Sequence, residues 1–254
     1  MLSINQKERY ARHIILDDFG EHGQEQLLSS KVLVVGMGGL GSNASTQLIM
    51  SGVGHLIIND YDVITRSNLH RQPLFSEHDI GKRKVEVAAR RLQDLQADAT
   101  IGIIDKVLNE AELETILPSV TLVLDCLDNF PSRYKLHHVA YKYHIPIVSA
   151  GVITHSGHVA LFNNRNDDPC FECIFPKPIL SFTSETDGCQ ERGVLGALVG
   201  VIGSMQSLLA VQWIANSTKN YSYEHILFSF NTHTLQWGKS VFYKDQDCLG
   251  VCHQ

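Results

Sequence analysis

Three glycines and a block of charged residues carry the chemistry open to this chain. Gly36, Gly38 and Gly41, with Gly39 between them, satisfy G-x-G-x-x-G directly after an apolar run. Such a loop allows a tight turn and close backbone approach, and a following helix offers free N–H groups to a phosphate. Asp60 lies nineteen residues past Gly41, about where a dinucleotide enzyme keeps its ribose-binding acid. The pattern alone therefore also fits an NAD(P)-dependent oxidoreductase. Next come Asp60-Tyr61-Asp62, Ser67-Asn68-Leu69-His70-Arg71-Gln72, Asp79-Ile80-Gly81 and Lys84. These residues are expected at or just beyond the carboxyl ends of parallel strands, where open α/β sheets bind ligands. Arg71 and Lys84 supply more positive charge than a nicotinamide dinucleotide needs. They suit a triphosphate, with a divalent ion on a carboxylate. Asp128, in Leu124-Asp125-Cys126-Leu127-Asp128-Asn129, is expected to end the fourth strand and to supply that carboxylate. The plain alternative for Arg71 and Lys84 is solvated surface charge.

Six cysteines divide into two pairs and two singles. Cys170 and Cys173 form C-x-x-C; Cys248 and Cys252 form C-x-x-x-C at the chain end. Four thiolates make a closed structural zinc site, which here would clip the terminus to the body. The wider second spacing leaves open whether His253 replaces Cys252, and unmetallated thiols are the alternative. Cys189 precedes a helix beside Arg192, a setting that favours thiolate, so it is either a covalent nucleophile or an idle loop thiol. Cys126 falls on a buried strand and reads as core. The thirteen histidines lack metal-site spacing, and His137 and His138 point to different helix faces.

These residues must be positioned by alternating strands and helices. Apolar runs predict strands at 31–36, 55–60, 100–104, 122–126 and 145–149. Between them fall helices at 43–51 and 82–96, the latter burying Val85, Ala88, Ala89, Leu92 and Leu95. Strand–helix alternation implies a doubly wound, mostly parallel Rossmann-like sheet. Alternation at 157–163, 224–231 and 234–243 predicts antiparallel strands extending that sheet, with a tight turn near 231–233. A loop is expected at 175–191 and a long helix at 195–216. We expect a single domain over 1–254, with a helical lead-in to 30, a nucleotide-binding half at 31–150 and an antiparallel half at 151–254.

Composition closes off other classes. Hydrophobic residues make up 44% and charged residues 19%, a globular balance. The net charge of −6 argues against bulk nucleic-acid binding. The greasiest stretch, 194–215, is interrupted by glycines, serines and glutamines, so no membrane span is expected. The polar first ten residues lack a secretory signal, and a cytoplasmic setting is expected.

Taken in order, Arg9-Tyr10-x-Arg12, the glycine loop, Asp60-x-Asp62, Ser67-Asn68-Leu69-x-Arg71-Gln72, Asp79-Ile80-Gly81-x-x-Lys84 and Leu124-Asp125-Cys126-x-Asp128-Asn129 resemble the MoeB/ThiF/HesA family, relatives of ubiquitin-activating enzymes. The resemblance covers nearly the whole chain and implies the short form without a rhodanese domain. It implies MgATP-dependent adenylation of the C-terminal glycine of a β-grasp sulfur-carrier protein ending in Gly-Gly, MoaD-like or ThiS-like, on the way to a thiocarboxylate. By position, Asp62 resembles the ribose-binding acid and Asp128 the magnesium-linked carboxylate. Asn68, Arg71 and Lys84 resemble phosphate contacts, with Gln72 and Asn129 beside them. Arg12 resembles an arginine lent to the partner's ATP site, which implies a homodimer. Cys189 aligns with a loop cysteine that joins the carrier covalently in ThiF-like members. A sulfurtransferase donor is a further implied partner, and a carrier-binding scaffold without turnover is the non-catalytic alternative.

Overall fold

The computed structural model describes residues 1–177, 193–215 and 224–253. Short helices α1 (Ile4–Arg9), α2 (Ala11–Ile14) and α3 (Gly20–Ser29) lead into the sheet. Strands and helices then alternate: β1 (Lys31–Val35), α4 (Gly39–Ser51), β2 (His55–Asn59), α5 (Lys84–Leu95), β3 (Thr100–Ile104), α6 (Glu110–Ile116), β4 (Leu122–Asp125), α7 (Phe130–Lys142) and β5 (Ile147–Ile153). Then follow β6 (Ser156–Phe162), α8 (Phe171–Ile174), α9 (Gly196–Ala215), β7 (Ile226–Asn231) and β8 (Gln236–Val241).

All eight strands form one sheet in the order β3-β2-β1-β4-β5-β6-β7-β8. The first five run parallel, and β5 onward pair antiparallel. The expected sheet is therefore present, parallel in its core with an antiparallel extension. Val32, Val34, Leu56, Ile58, Leu122 and Leu124 are buried in one core with Ala44 and Leu48 of α4, while Leu33 and Val123 face a second core with Leu136 and Val139 of α7. Burial on both faces is why these strands read as continuous apolar runs.

Several boundaries move for identifiable reasons. Helix α4 starts at Gly39, inside the glycine motif, and ends at Gly52, whose φ of 99° supplies a left-handed cap. On α5, Val87 is buried and Leu95 is exposed, because Leu95 is the last residue of the helix. Strand β5 runs to Ile153 because β6 pairs along its whole length. The turn before β8 closes by the Leu235 N–H on the Asn231 carbonyl, a wider loop than the expected 231–233. Helix α9 corrects the membrane expectation in part: its 20 residues are long and apolar enough to cross a bilayer. Here it is a core helix, with Leu198, Ile202, Leu209 and Ala210 buried against α4 and the sheet. Small residues permit that close approach; a Cβ on Gly203 would lie 2.9 Å from the Asn43 Cβ.

Candidate active site

The carboxyl ends of β1, β2 and β4 open on a cavity of about 810 Å³, within the range of small-molecule sites. Its floor is the glycine loop. Gly36 has φ of 95°, and a Cβ there would lie 2.8 Å from the Cys126 carbonyl oxygen. A Cβ on Gly41 would meet the Gly36 carbonyl oxygen at 1.8 Å, and one on Gly39 would meet Val199 Cγ1 of α9 at 2.6 Å. Around Gly38 there is room, the nearest atom being Gln72 Nε2 at 3.9 Å from an added Cβ. The first and last glycines thus close the turn and seat the helix, while Gly38 leaves backbone bare to the cavity.

Eleven of the twelve residues expected to bind nucleotide line this space: Gly36, Gly38, Gly39, Asp60, Asp62, Asn68, Arg71, Gln72, Lys84, Asp128 and Asn129. Gly41 is the exception, since it is spent on packing. The two acids after β2 divide their work. Asp60 is buried and turned inward, accepting the Met37 N–H at 2.7 Å and the Asp62 N–H at 2.8 Å. Asp62 is exposed and pairs with Lys84 Nζ at 2.7 Å, while that ammonium stands 3.8 Å from Asp60. Lys84 opens α5 and is itself buried. Arg71 is braced at the wall, Nη1 donating to the Ser67 carbonyl at 2.8 Å and lying 2.8 Å from His70 Nε2. Burial, followed by the Asp62, Asp128 and Asp60 carboxylates, raises the Tyr61 hydroxyl pKa. Such a site favours ligands that arrive with cations.

Strand β4 ends at Asp125, not at Asp128. Asp125 is fully buried. Burial alone would raise its pKa, but Arg133, His137 and Ser149 outweigh that and hold it down at about 2. Asp128 sits three residues on, exposed in the turn into α7. Asn129 caps that helix, accepting the Ser132 N–H at 3.0 Å. Ser132 and Lys135, in the first turns of α7, also line the cavity and were not expected from the sequence. The signal was available: an Asn N-cap at 129 turns Ser132 and Lys135 toward the end of β4. Val107, Leu108 and Leu113 add an apolar wall. Arg12 does not line the cavity; it is exposed on α2. Cys189 lies outside the described residues. Cys126 is buried, its thiol pushed up by burial and donating to Gln206 Oε1 at 3.3 Å. That agrees with a core role.

The four paired cysteines converge outside the cavity lining. The Sγ atoms of Cys170, Cys173, Cys248 and Cys252 lie within 4.8 Å of one another. Three of the separations are 3.8, 3.7 and 3.6 Å. Tetrahedral zinc with Zn–S near 2.3 Å requires S···S of roughly 3.8 Å. The Asp245 and Gly250 N–H groups point at Cys173 and Cys248 sulfurs at 3.5 and 3.3 Å, as thiolates need. The extra residue of the second pair is absorbed by a 3₁₀ turn, Val251–His253, which brings Cys252 into the cluster. The His253 side chain lies outside the described residues.

A family model described as "ThiF family" matches residues 10–250. The chain belongs to the ThiF family. The Escherichia coli protein named molybdopterin-synthase adenylyltransferase is 35% identical over 253 residues, covering 100% of this chain and 99% of that protein. This match runs the full length of both chains and, with the family model, stands against the oxidoreductase reading. The Drosophila pseudoobscura protein named adenylyltransferase and sulfurtransferase MOCS3-1 is 40% identical over 206 residues, 81% of this chain. The chain spans less than half of that relative, 45% of its length. The fold is shared with the crystal structure of E. coli MccB with ATP, at TM-score 0.80 and 22% identity, over 97% of this chain and 75% of that one.

Proposed function

We propose that the chain uses MgATP to adenylate the C-terminal glycine carboxylate of a β-grasp sulfur-carrier protein, releasing pyrophosphate. The observation that carries this is that Arg71, Lys84, Asn68 and Asp128 line one cavity together with the bare backbone of Gly38. A carboxylate is a poor electrophile, whereas its mixed anhydride with AMP has a good leaving group. Little covalent chemistry is asked of the protein, and catalysis is mostly positioning and charge neutralisation.

In this reading Asp62 holds the ribose, and releases Lys84 from its ion pair as phosphate arrives. Arg71, Lys84 and Asn68 bind phosphate oxygens, Gln72 and Asn129 flank them, and Lys135 joins as a third cation. The carrier tail reaches the α-phosphate from the side of Gly193 and Val194, which also line the cavity. Asp128 is the residue that would hold magnesium: it is an exposed carboxylate facing a phosphate site, a donor suited to that hard ion. Bound there, magnesium neutralises charge on the triphosphate. The four-cysteine cluster would hold zinc as a structural clip between the loop before α8 and the chain's last turn. Similarity to the E. coli molybdopterin-synthase adenylyltransferase favours a MoaD-like carrier over a ThiS-like one. A homodimer in which Arg12 serves the partner's cavity fits the exposure of Arg12 on α2. Capture of the carrier by Cys189, a sulfurtransferase as sulfur donor and a cytoplasmic setting, where thiols stay reduced, complete the proposal.

Mass spectrometry of a MoaD-like carrier incubated with the protein and MgATP tests it. The account expects an AMP adduct at the carrier C-terminus, absent when the last glycine is removed. An unmodified intact carrier, in the presence of bound ATP, would leave the scaffold reading standing instead.

A further inference from the structure

The cavity and the cysteine cluster are joined by a file of buried groups. Phe171 lies between Cys170 and Cys173 and is fully enclosed. Its ring stacks on His137 of α7 at 4.1 Å and 22°, and Phe162 meets the same imidazole edge-on at 5.1 Å. His137 Nε2 lies 3.2 Å from Asp125 Oδ2, which also accepts Ser149 Oγ–H at 2.7 Å and faces Arg133 Nη1 at 3.4 Å. With Oδ2 held by His137, the Ser149 hydroxyl and the charge of Arg133, Oδ1 accepts the Leu127 N–H at 3.1 Å. Arg133 Nε donates to the Leu127 carbonyl at 3.1 Å. Both backbone polar groups of the residue before Asp128 are therefore held by this buried pair.

His137 carries a second signal. Its Nδ1 is buried without a partner, so no hydrogen bond on that side of the ring sets its pose. The stack on Phe171 and the bond to Asp125 set it. A leucine would fill the same space, and a buried polar orphan calls for a reason.

We propose that Phe171 and His137 are positioning residues that fix Asp128 from the cysteine knuckle, through Asp125, Arg133 and Leu127. The inference rests on the reading of Asp128 as the magnesium-linked carboxylate. On this view the knuckle does more than secure the terminus: the seat of Phe171 sets how well the cavity holds a metal–nucleotide pair.

The test is a double-mutant cycle on the full chain, because coupling and not adjacency is the claim. His137→Phe keeps the stack and removes the donor; Phe171→Leu keeps apolar volume and removes the stack. Calorimetry measures ATP binding with magnesium and with EDTA, alongside zinc content and Tm. Each single variant is expected to weaken MgATP binding roughly tenfold, the usual scale for partners behind a metal ligand. Binding without magnesium should stay within about twofold, since the glycine loop, Arg71 and Lys84 are untouched. The double variant should be no worse than His137→Phe, and His137→Gln, which keeps an Nε2 the same number of bonds from Cα but removes the stack, should lose MgATP binding about as Phe171→Leu does. Equal losses with and without magnesium, no loss at all, or losses that multiply in the double variant would each overturn the proposal. If His137→Phe fails to fold, Phe171→Leu and His137→Gln carry the same comparison. A wild-type chain that binds no nucleotide would overturn the adenylation reading and the relay with it. Normal wild-type binding beside unaffected variants would overturn the relay alone.

Discussion

At the scale of single residues, the cavity separates groups that meet ligand from groups that hold them. Arg71 and Lys84 are cations lining the cavity, whereas Asp60 has both oxygens engaged by backbone N–H groups. Replacing Arg71 with Met should lower adenylation by about 10²–10³-fold, as for other preorganised charge donors, with little change in Tm. Asp60→Asn should instead loosen the glycine loop, lowering both Tm and ATP affinity. A Tm loss for Arg71→Met equal to that of Asp60→Asn, read by calorimetry, would contradict this division. The sequence revealed that two acids follow β2 but not which one turns inward. That choice is made by the Met37 N–H, a partner 23 positions away. Lys135 was missed for a different reason: its signal was local, the Asn129 cap that fixes the face of α7 it occupies. The motif order was legible because each motif is local to one strand end.

At the scale of elements, the glycine loop makes a sharp contrast between neighbours. Gly41→Ala places a methyl 1.8 Å from the Gly36 carbonyl oxygen, backbone against backbone. The cost should be at least about 3 kcal/mol, the upper range for overpacking. Gly38→Ala meets only the end of Gln72 at 3.9 Å and should fold normally, yet bind ATP more weakly because its methyl enters the cavity. Urea denaturation and nucleotide titration separate the two; equal stability losses would contradict the geometry. Strands β1, β2 and β4 were readable as apolar runs because burial on both faces leaves little polar alternation. Helix α9, expected at 195–216, is observed at Gly196–Ala215; what the sequence left open is its seat, since an apolar helix looks alike in a core and in a bilayer. Its seat depends on small residues meeting α4, such as Gly203 against Asn43.

At the scale of the whole molecule, two properties follow from groups far from the cavity. The cysteine cluster ties α8 to the last turn of the chain. The protein should carry one zinc, and chelation should lower Tm by on the order of 10 °C. Elemental analysis showing no metal, with Tm indifferent to chelator, would remove the clip. The second property is acid sensitivity. Burial, with Arg133 adding to it, depresses His158 to about 4 from 6.5, and burial lowers His137 as well. Unfolded chains take up those protons where the folded chain refuses them, so stability should fall as pH drops from about 6.5 toward 4. Asp125, held near 2, contributes above its unfolded value of 3.8, and that stability is lost as pH falls further toward 2. His158→Gln should flatten the first decline in urea midpoints and leave the second. An unchanged first decline would contradict the assignment.

The central claim is that this cavity activates a carrier's terminal carboxylate, and pyrophosphate–ATP exchange tests it most directly. Purified protein with Mg²⁺ should exchange labelled pyrophosphate into ATP when given an intact MoaD-like carrier, and fail with the same carrier lacking its last glycine. A ThiS-like carrier run in parallel fixes the pathway. Exchange that ignores the carrier's terminus, or no exchange with either carrier despite bound ATP, would contradict the account.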